Sequence, residues 1–93
     1  MTVGVLTLEF AIFEARSLKD KRRVILSLKQ KLRNHFNVSV AEVAYHDLPK
    51  RCRLAVAMVS HESRALHSQL DKIVDMVRRA GGLSLLDYRR ELL

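Results

Sequence analysis

The spacing of apolar residues switches back and forth between two periods along this chain, and the order of the switches leaves few folds open. Residues 2–12, TVGVLTLEFAI, alternate. Leu6, Leu8, Phe10 and Ile12 fall on one face and Val5, Thr7, Glu9 and Ala11 on the other, as in a strand with one buried side. From residue 18 the period lengthens. Leu18, Ile25, Leu28, Leu32 and Phe36 recur at helical spacing, Ser17 is placed to cap, Asp20 stands where a capping-box acid would, and Asn37 supplies a stop. Two runs of strand character follow, residues 38–46 (VSVAEVAYH) and 52–60 (CRLAVAMVS), the latter with Leu54, Val56 and Met58 on one face. Asp47 and Pro49 between them have turn chemistry, so the two runs form a hairpin. Val38 and Val40 share a face while Val43 and Tyr45 share the opposite one, which predicts a bulge near Ala41 or Glu42. A second helix fits residues 62–80, with Leu66, Leu70, Ile73, Val74 and Val77 as its stripe, Ser60 or Ser63 as its cap and Gly81-Gly82 as its end. Residues 83–92 form a last strand.

The order is βαββαβ. Both helical stripes are buried if the helices lie on one face of a four-stranded antiparallel sheet, which is the ferredoxin-like α+β sandwich. With 93 residues the chain is expected to be one domain, 1–93. Cys52 is the only cysteine, which rules out an internal disulfide and suits a reducing compartment. No positively charged region precedes the first apolar run, and no stretch approaches the roughly 18 apolar residues of a membrane span. A cytoplasmic location is expected.

Seventeen lysines and arginines stand against 10 acids, a net charge of +7, and point to a polyanionic partner, nucleic acid first. The topology converts composition into a map. With the first strand running up, the first strand-to-helix loop, the hairpin turn and the end of the second helix meet at the upper edge. They bring Arg16, Lys19, Lys21, Arg22, Lys50, Arg51, Arg53, Arg78 and Arg79 against Glu14, Asp20 and Asp47. On the first helix, counted at 100° per residue from Leu18, the core arc runs from about 240° to 360°. Lys29, Arg22, Arg33 and Lys19 fall at about 20°, 40°, 60° and 100°, with Leu26 among them at about 80°. Single surface cations usually only solubilise, but these come from separate segments and converge on one edge. The candidate nucleic-acid-binding residues are therefore Arg16, Lys19, Lys21, Arg22, Lys29, Arg33, Lys50 and Arg51. The third strand has no aromatic residue for base stacking, so structured RNA, or a ribosomal particle gripped by its phosphate backbone, is the expected partner.

The sheet face away from the helices carries Val3, Val5, Ala11, Ala55, Ala57 and Val59, small and apolar for a solvated surface. Val3, Val5, Ala55, Ala57 and Val59 are candidates for a homodimer or protein-docking face, the alternative function. Signals of chemistry are weak. His35, His46, His61 and His67 are scattered, and the His46–Cys52 spacing is poor for zinc, so neither a metal nor another cofactor is expected. Cys52 lies between Arg51 and Arg53, but a strand cysteine is commonly a small core residue. Gly81-Gly82 follows a helix and so is no phosphate loop. Acylphosphatases share the predicted fold and hold phosphate with a glycine-rich loop and an arginine after the first strand. Phe13-Glu14-Ala15-Arg16-Ser17 has the arginine without the glycines. No catalytic residue is assigned, and a non-enzyme is expected.

Ala15-Arg16-Ser17-Leu18-Lys19-Asp20-Lys21-Arg22-Arg23 and the run from Leu32 to Val43, LRNHFNVSVAEV, resemble the YlxP-like family of small bacterial proteins. The opening Val3-Gly4-Val5-Leu6 and the closing Asp87-Tyr88 extend the likeness over nearly the whole chain. The resemblance implies a ferredoxin-like fold, no established activity, and a ribosome or RNA role suspected from genes that often lie beside those of translation and ribosome-maturation factors. It also implies that Glu42 is a structural acid pairing with cations of the first helix. The family often carries a tryptophan in the hairpin, where this chain has Leu48-Pro49.

Overall fold

Alternation along the first segment produces a ten-residue strand, β1 (Thr2–Ala11), whose even-numbered side chains Leu6, Leu8 and Phe10 are fully buried. The computed structural model describes residues 1–93. After β1 come α1 (Leu18–His35), β2 (Ser39–Ala44), β3 (Arg51–Ser60), α2 (Ser63–Arg78) and β4 (Ser84–Leu92). The strands form one sheet in the order β2-β3-β1-β4, with every neighbouring pair antiparallel. This is the expected ferredoxin-like α+β arrangement. One core lies between sheet and helices: Leu6, Leu8 and Phe10 of β1 and Cys52, Leu54 and Val56 of β3 meet Ile25, Leu28 and Leu32 of α1 and Leu66, Leu70, Ile73 and Val77 of α2. At Gly4 a side chain of α2 packs directly on the backbone of β1. A Cβ there would lie 2.8 Å from Leu66 Cδ2.

The helix ends differ in how they are closed. Ser17 Oγ accepts the Asp20 N–H at 3.1 Å, as expected of a cap. The Asp20 carboxylate reaches one residue beyond the usual capping-box partner and accepts the Arg16 N–H at 3.1 Å. Neither serine caps α2. The N-cap is Glu62, which makes no side-chain cap bond, while Ser60 ends β3 and its Oγ accepts the Glu62 N–H at 3.3 Å. Ser63 is already helical. The helix stops at Arg78, two residues before the expected end, because the Arg79 N–H turns to the Met76 and Val77 carbonyls. Gly82, at φ 79°, then takes the left-handed conformation that leads into β4.

Two bulges shape the sheet. In β2, Glu42 pairs with Leu54 and Ala44 with Arg53, so the extra residue is Val43, slightly beyond the expected Ala41–Glu42. β2 ends at Ala44 instead of running to residue 46, since Tyr45 turns out at φ 65°. A second register shift, unforeseen from sequence, lies where β4 passes Glu9 and Phe10 of β1: Glu9 pairs with Asp87 and Phe10 with Leu85, leaving Leu86 over.

Candidate nucleic-acid interface

The cations drawn from α1 and the hairpin divide into two sets. Lys21 belongs to the first. It is only 2% exposed, its Nζ donates to the Tyr45 carbonyl at 2.6 Å, and it lies 2.7 Å from Glu42 Oε2. Glu42 Oε2 has no directed hydrogen bond, so this contact is an ion pair. Burial removes Lys21 from the interface proposed for it. Its role is to tie α1 to the β2–β3 turn, and the expectation that Glu42 pairs with a helix-one cation is met. Beneath the pair, the Cys52 thiol is pushed up from 9.0 to about 12, first by burial and then by the Glu42 carboxylate. It stays a neutral core group.

Arg51 and Arg53 are also engaged. Glu9 stands directly opposite Arg53 in the β1–β3 register. Its carboxylate accepts from Arg53 Nε and, at 3.4 Å, from an Arg51 terminal nitrogen. The bond to Glu9 holds the Arg53 guanidinium above its already high ordinary value. The turned-out Tyr45 ring lies beneath both guanidiniums, at 5.0 Å and 5.2 Å from its centroid. Arg51 therefore points to the open face of the sheet, locked to Glu9 and Tyr45, and leaves the set of free rim cations. Arg78 lies 5.5 Å from the Tyr88 ring, on the helix side.

The second set is unpaired. Arg16, Lys19, Arg22, Lys29 and Lys50 take part in no ion pair. Arg33, further along the same flank of α1, donates to the Val40 carbonyl at 3.2 Å. His46 Nε2 donates to the Glu42 carbonyl, also at 3.2 Å. Those two carbonyls lie two residues apart on an edge strand and so point the same way. Side chains occupy both, which blunts β2 against strand addition. Between this edge and α1 lies a cleft of about 300 Å³, lined by Leu18, Lys21, Arg22, Ile25, Leu26, Lys29, Glu42 and His46. It was not foreseen from sequence, although Leu26, an exposed leucine among cations, was its visible sign.

On the open face, Val3, Val5, Ala55 and Ala57 are half-buried and Val59 is 61% exposed. The apolar surface fills only the half of the sheet distant from Glu9, Arg51 and Arg53. The histidines do not converge: His35 bonds to the Lys31 carbonyl, His46 to Glu42, and His67 accepts from Arg90 on the opposite side of the molecule. No helix is long and apolar enough to cross a membrane.

Comparison with known sequences shows the family. The family described as protein of unknown function (DUF503) matches residues 3–90. The chain belongs to the DUF503 family. An uncharacterized protein YlxP of Bacillus subtilis (strain 168) is 31% identical over 75 residues, covering 81% of this chain and 82% of the relative. The DUF503 match reaches from β1 into β4 and takes in both helices, and the YlxP-like assignment drawn from the Ala15–Arg23 and Leu32–Val43 runs is correct. Neither description names an activity.

Proposed function

We propose that this protein is a non-catalytic RNA- or ribosome-associated module that grips phosphate backbone along the outer flank of α1 and the adjoining rim. The observation that carries this reading is that Arg22 and Lys29 lie on one flank of α1, two turns apart, with no carboxylate partner, and that Lys19, Arg16 and Lys50 are equally unpaired. Five such cations correspond to a log-affinity against log-salt slope of about −4 to −5 on a duplex. Lys21 and Arg51, engaged by Glu42 and Glu9, make no phosphate contact in this scheme.

The paired charge reversal Arg22→Glu with Lys29→Glu tests it, since both side chains lie outside the core. RNA duplexes of unrelated sequence should all bind more weakly, and the salt slope should flatten by about two. Unchanged titrations in this variant would remove the flank from the account.

Self-association through the open sheet face is the second reading, favoured by the exposure of Val59 beside Val3, Val5, Ala55 and Ala57. Sedimentation of the protein before and after Ala57→Glu decides it. A dimer converted to monomer supports the reading, and a monomer in both samples ends it.

A further inference from the structure

A cationic flank that only follows a phosphate backbone has no use for a cleft, yet one opens along it. The cleft between α1 and the β2 edge holds about 300 Å³, at the lower end of the ~300–1,000 Å³ of small-ligand sites. It is too small for a helix of either nucleic acid or protein. Leu18, Ile25 and Leu26 supply an apolar wall, with Leu26 53% exposed at its mouth. Arg22 and Lys29 flank that leucine. On the opposite side stands Glu42, whose side chain keeps 20% of its surface exposed. Its backbone carbonyl is satisfied by His46, and Lys21 fixes the carboxylate.

We propose that this cleft receives a single unpaired nucleotide of the bound RNA. The nucleotide's phosphate lies between Arg22 and Lys29, its base lies against the Leu18–Ile25–Leu26 wall, and the edge of the base faces Glu42. The proposal rests on the backbone-binding reading above and adds a class of target to it: RNA with a bulge or an extruded base, not continuous duplex. An apolar wall between two cations matches the amphiphilic character of one nucleotide, whose base is flat and weakly hydrated and whose phosphate is charged. A carboxylate at the base edge accepts hydrogen bonds and cannot donate them. It therefore favours a base that offers an exocyclic amino group there, as adenine and cytosine do, over uracil, which offers a carbonyl. Recognition of splayed-out bases in irregular RNA is also the mode open to a protein facing an A-form helix whose major groove is too narrow to read.

Three RNA duplexes of otherwise identical sequence test this: one continuous, one with a single bulged adenosine and one with a single bulged uridine, titrated by fluorescence anisotropy against wild type and Leu26→Ala. Leu26 is half-exposed and alanine favours the helix, so the variant keeps the fold. The expected result is that wild type binds the adenosine bulge about tenfold tighter than the continuous duplex, the worth of one well-placed base contact, and the uridine bulge between the two. Leu26→Ala should lose most of that preference and keep its affinity for the continuous duplex. Equal binding of all three RNAs by wild type overturns the nucleotide site and leaves the backbone reading standing. A bulge preference untouched by Leu26→Ala, or capture by the cleft of an acidic peptide with an apolar residue in place of a bulged base, overturns it as well. Failure to bind any of the three at low salt brings down the backbone reading itself.

Discussion

The cations at the base of the hairpin and those on the outer flank of α1 look alike in composition and have opposite fates. Lys21, Arg51 and Arg53 face strands, and each meets a strand carboxylate: Glu42 for the lysine, Glu9 for both arginines. Arg22 and Lys29 lie one to several residues from Lys21 on the same helix and meet none. Parity and register make the difference. A strand acid is fixed in position by the sheet and selects whichever cation the packing brings to it, whereas Arg22 and Lys29, on the flank of α1 that borders the open cleft, are held against no carboxylate. Net charge therefore overstates the charge available to a partner, and by different amounts in different parts of one molecule.

The largest effect that could break this division is on stability. Replacing Lys21 with Met leaves the largely buried Glu42 carboxylate without its partner and should cost about 3 kcal/mol. Arg22→Met, one residue away but solvent-facing, should stay within about 0.5 kcal/mol of wild type. Urea titrations read both as midpoint shifts at constant m. The double change Lys21→Met with Glu42→Met should recover most of the loss, because removing both charges leaves none stranded. Equal losses at Lys21 and Arg22 would mean that the two sets of cations do not differ.

Nearly all of the fold was legible. Period-two runs fixed β1 and β3, the stripes fixed α1 and α2, and the order of these elements selected the sheet. The misplaced details are local. The Val43 bulge depends on where the chain must bend to put Glu42 against Lys21 and Tyr45 beneath two arginines, a tertiary demand that parity registers only as a disturbance nearby. Serine propensity pointed to Ser60 or Ser63 as the α2 cap, but the strand and the first turn already claim those positions, leaving Glu62 between them. The candidate interface was half legible. The angular count that places Arg22 and Lys29 on the flank also puts Lys21 at about 300°, inside the core arc, so its burial could have been read directly. The engagement of Arg51 and Arg53 could not. Glu9 shows its face by alternation, but its position opposite Arg53 appears only once β1 and β3 are paired in register.

The smallest effect is the most informative about where a bound RNA would lie. Glu9→Gln keeps the shape of the side chain and removes the charge that both arginines share. Arg51 and Arg53 are each more than a third exposed, so the cost to stability should be well below that of Lys21→Met. Their guanidiniums remain over the Tyr45 ring, on the open face of the sheet, while Arg22 and Lys29 border the cleft at the β2 edge. A backbone following α1 passes these arginines by, and the salt slope of RNA binding should change by less than about one in Glu9→Gln. A slope steeper by about two would instead mean that the RNA wraps over the hairpin onto the sheet. In that case Glu9 would be what keeps Arg51 and Arg53 out of the free set, and the interface would extend across the rim instead of ending at the helix flank.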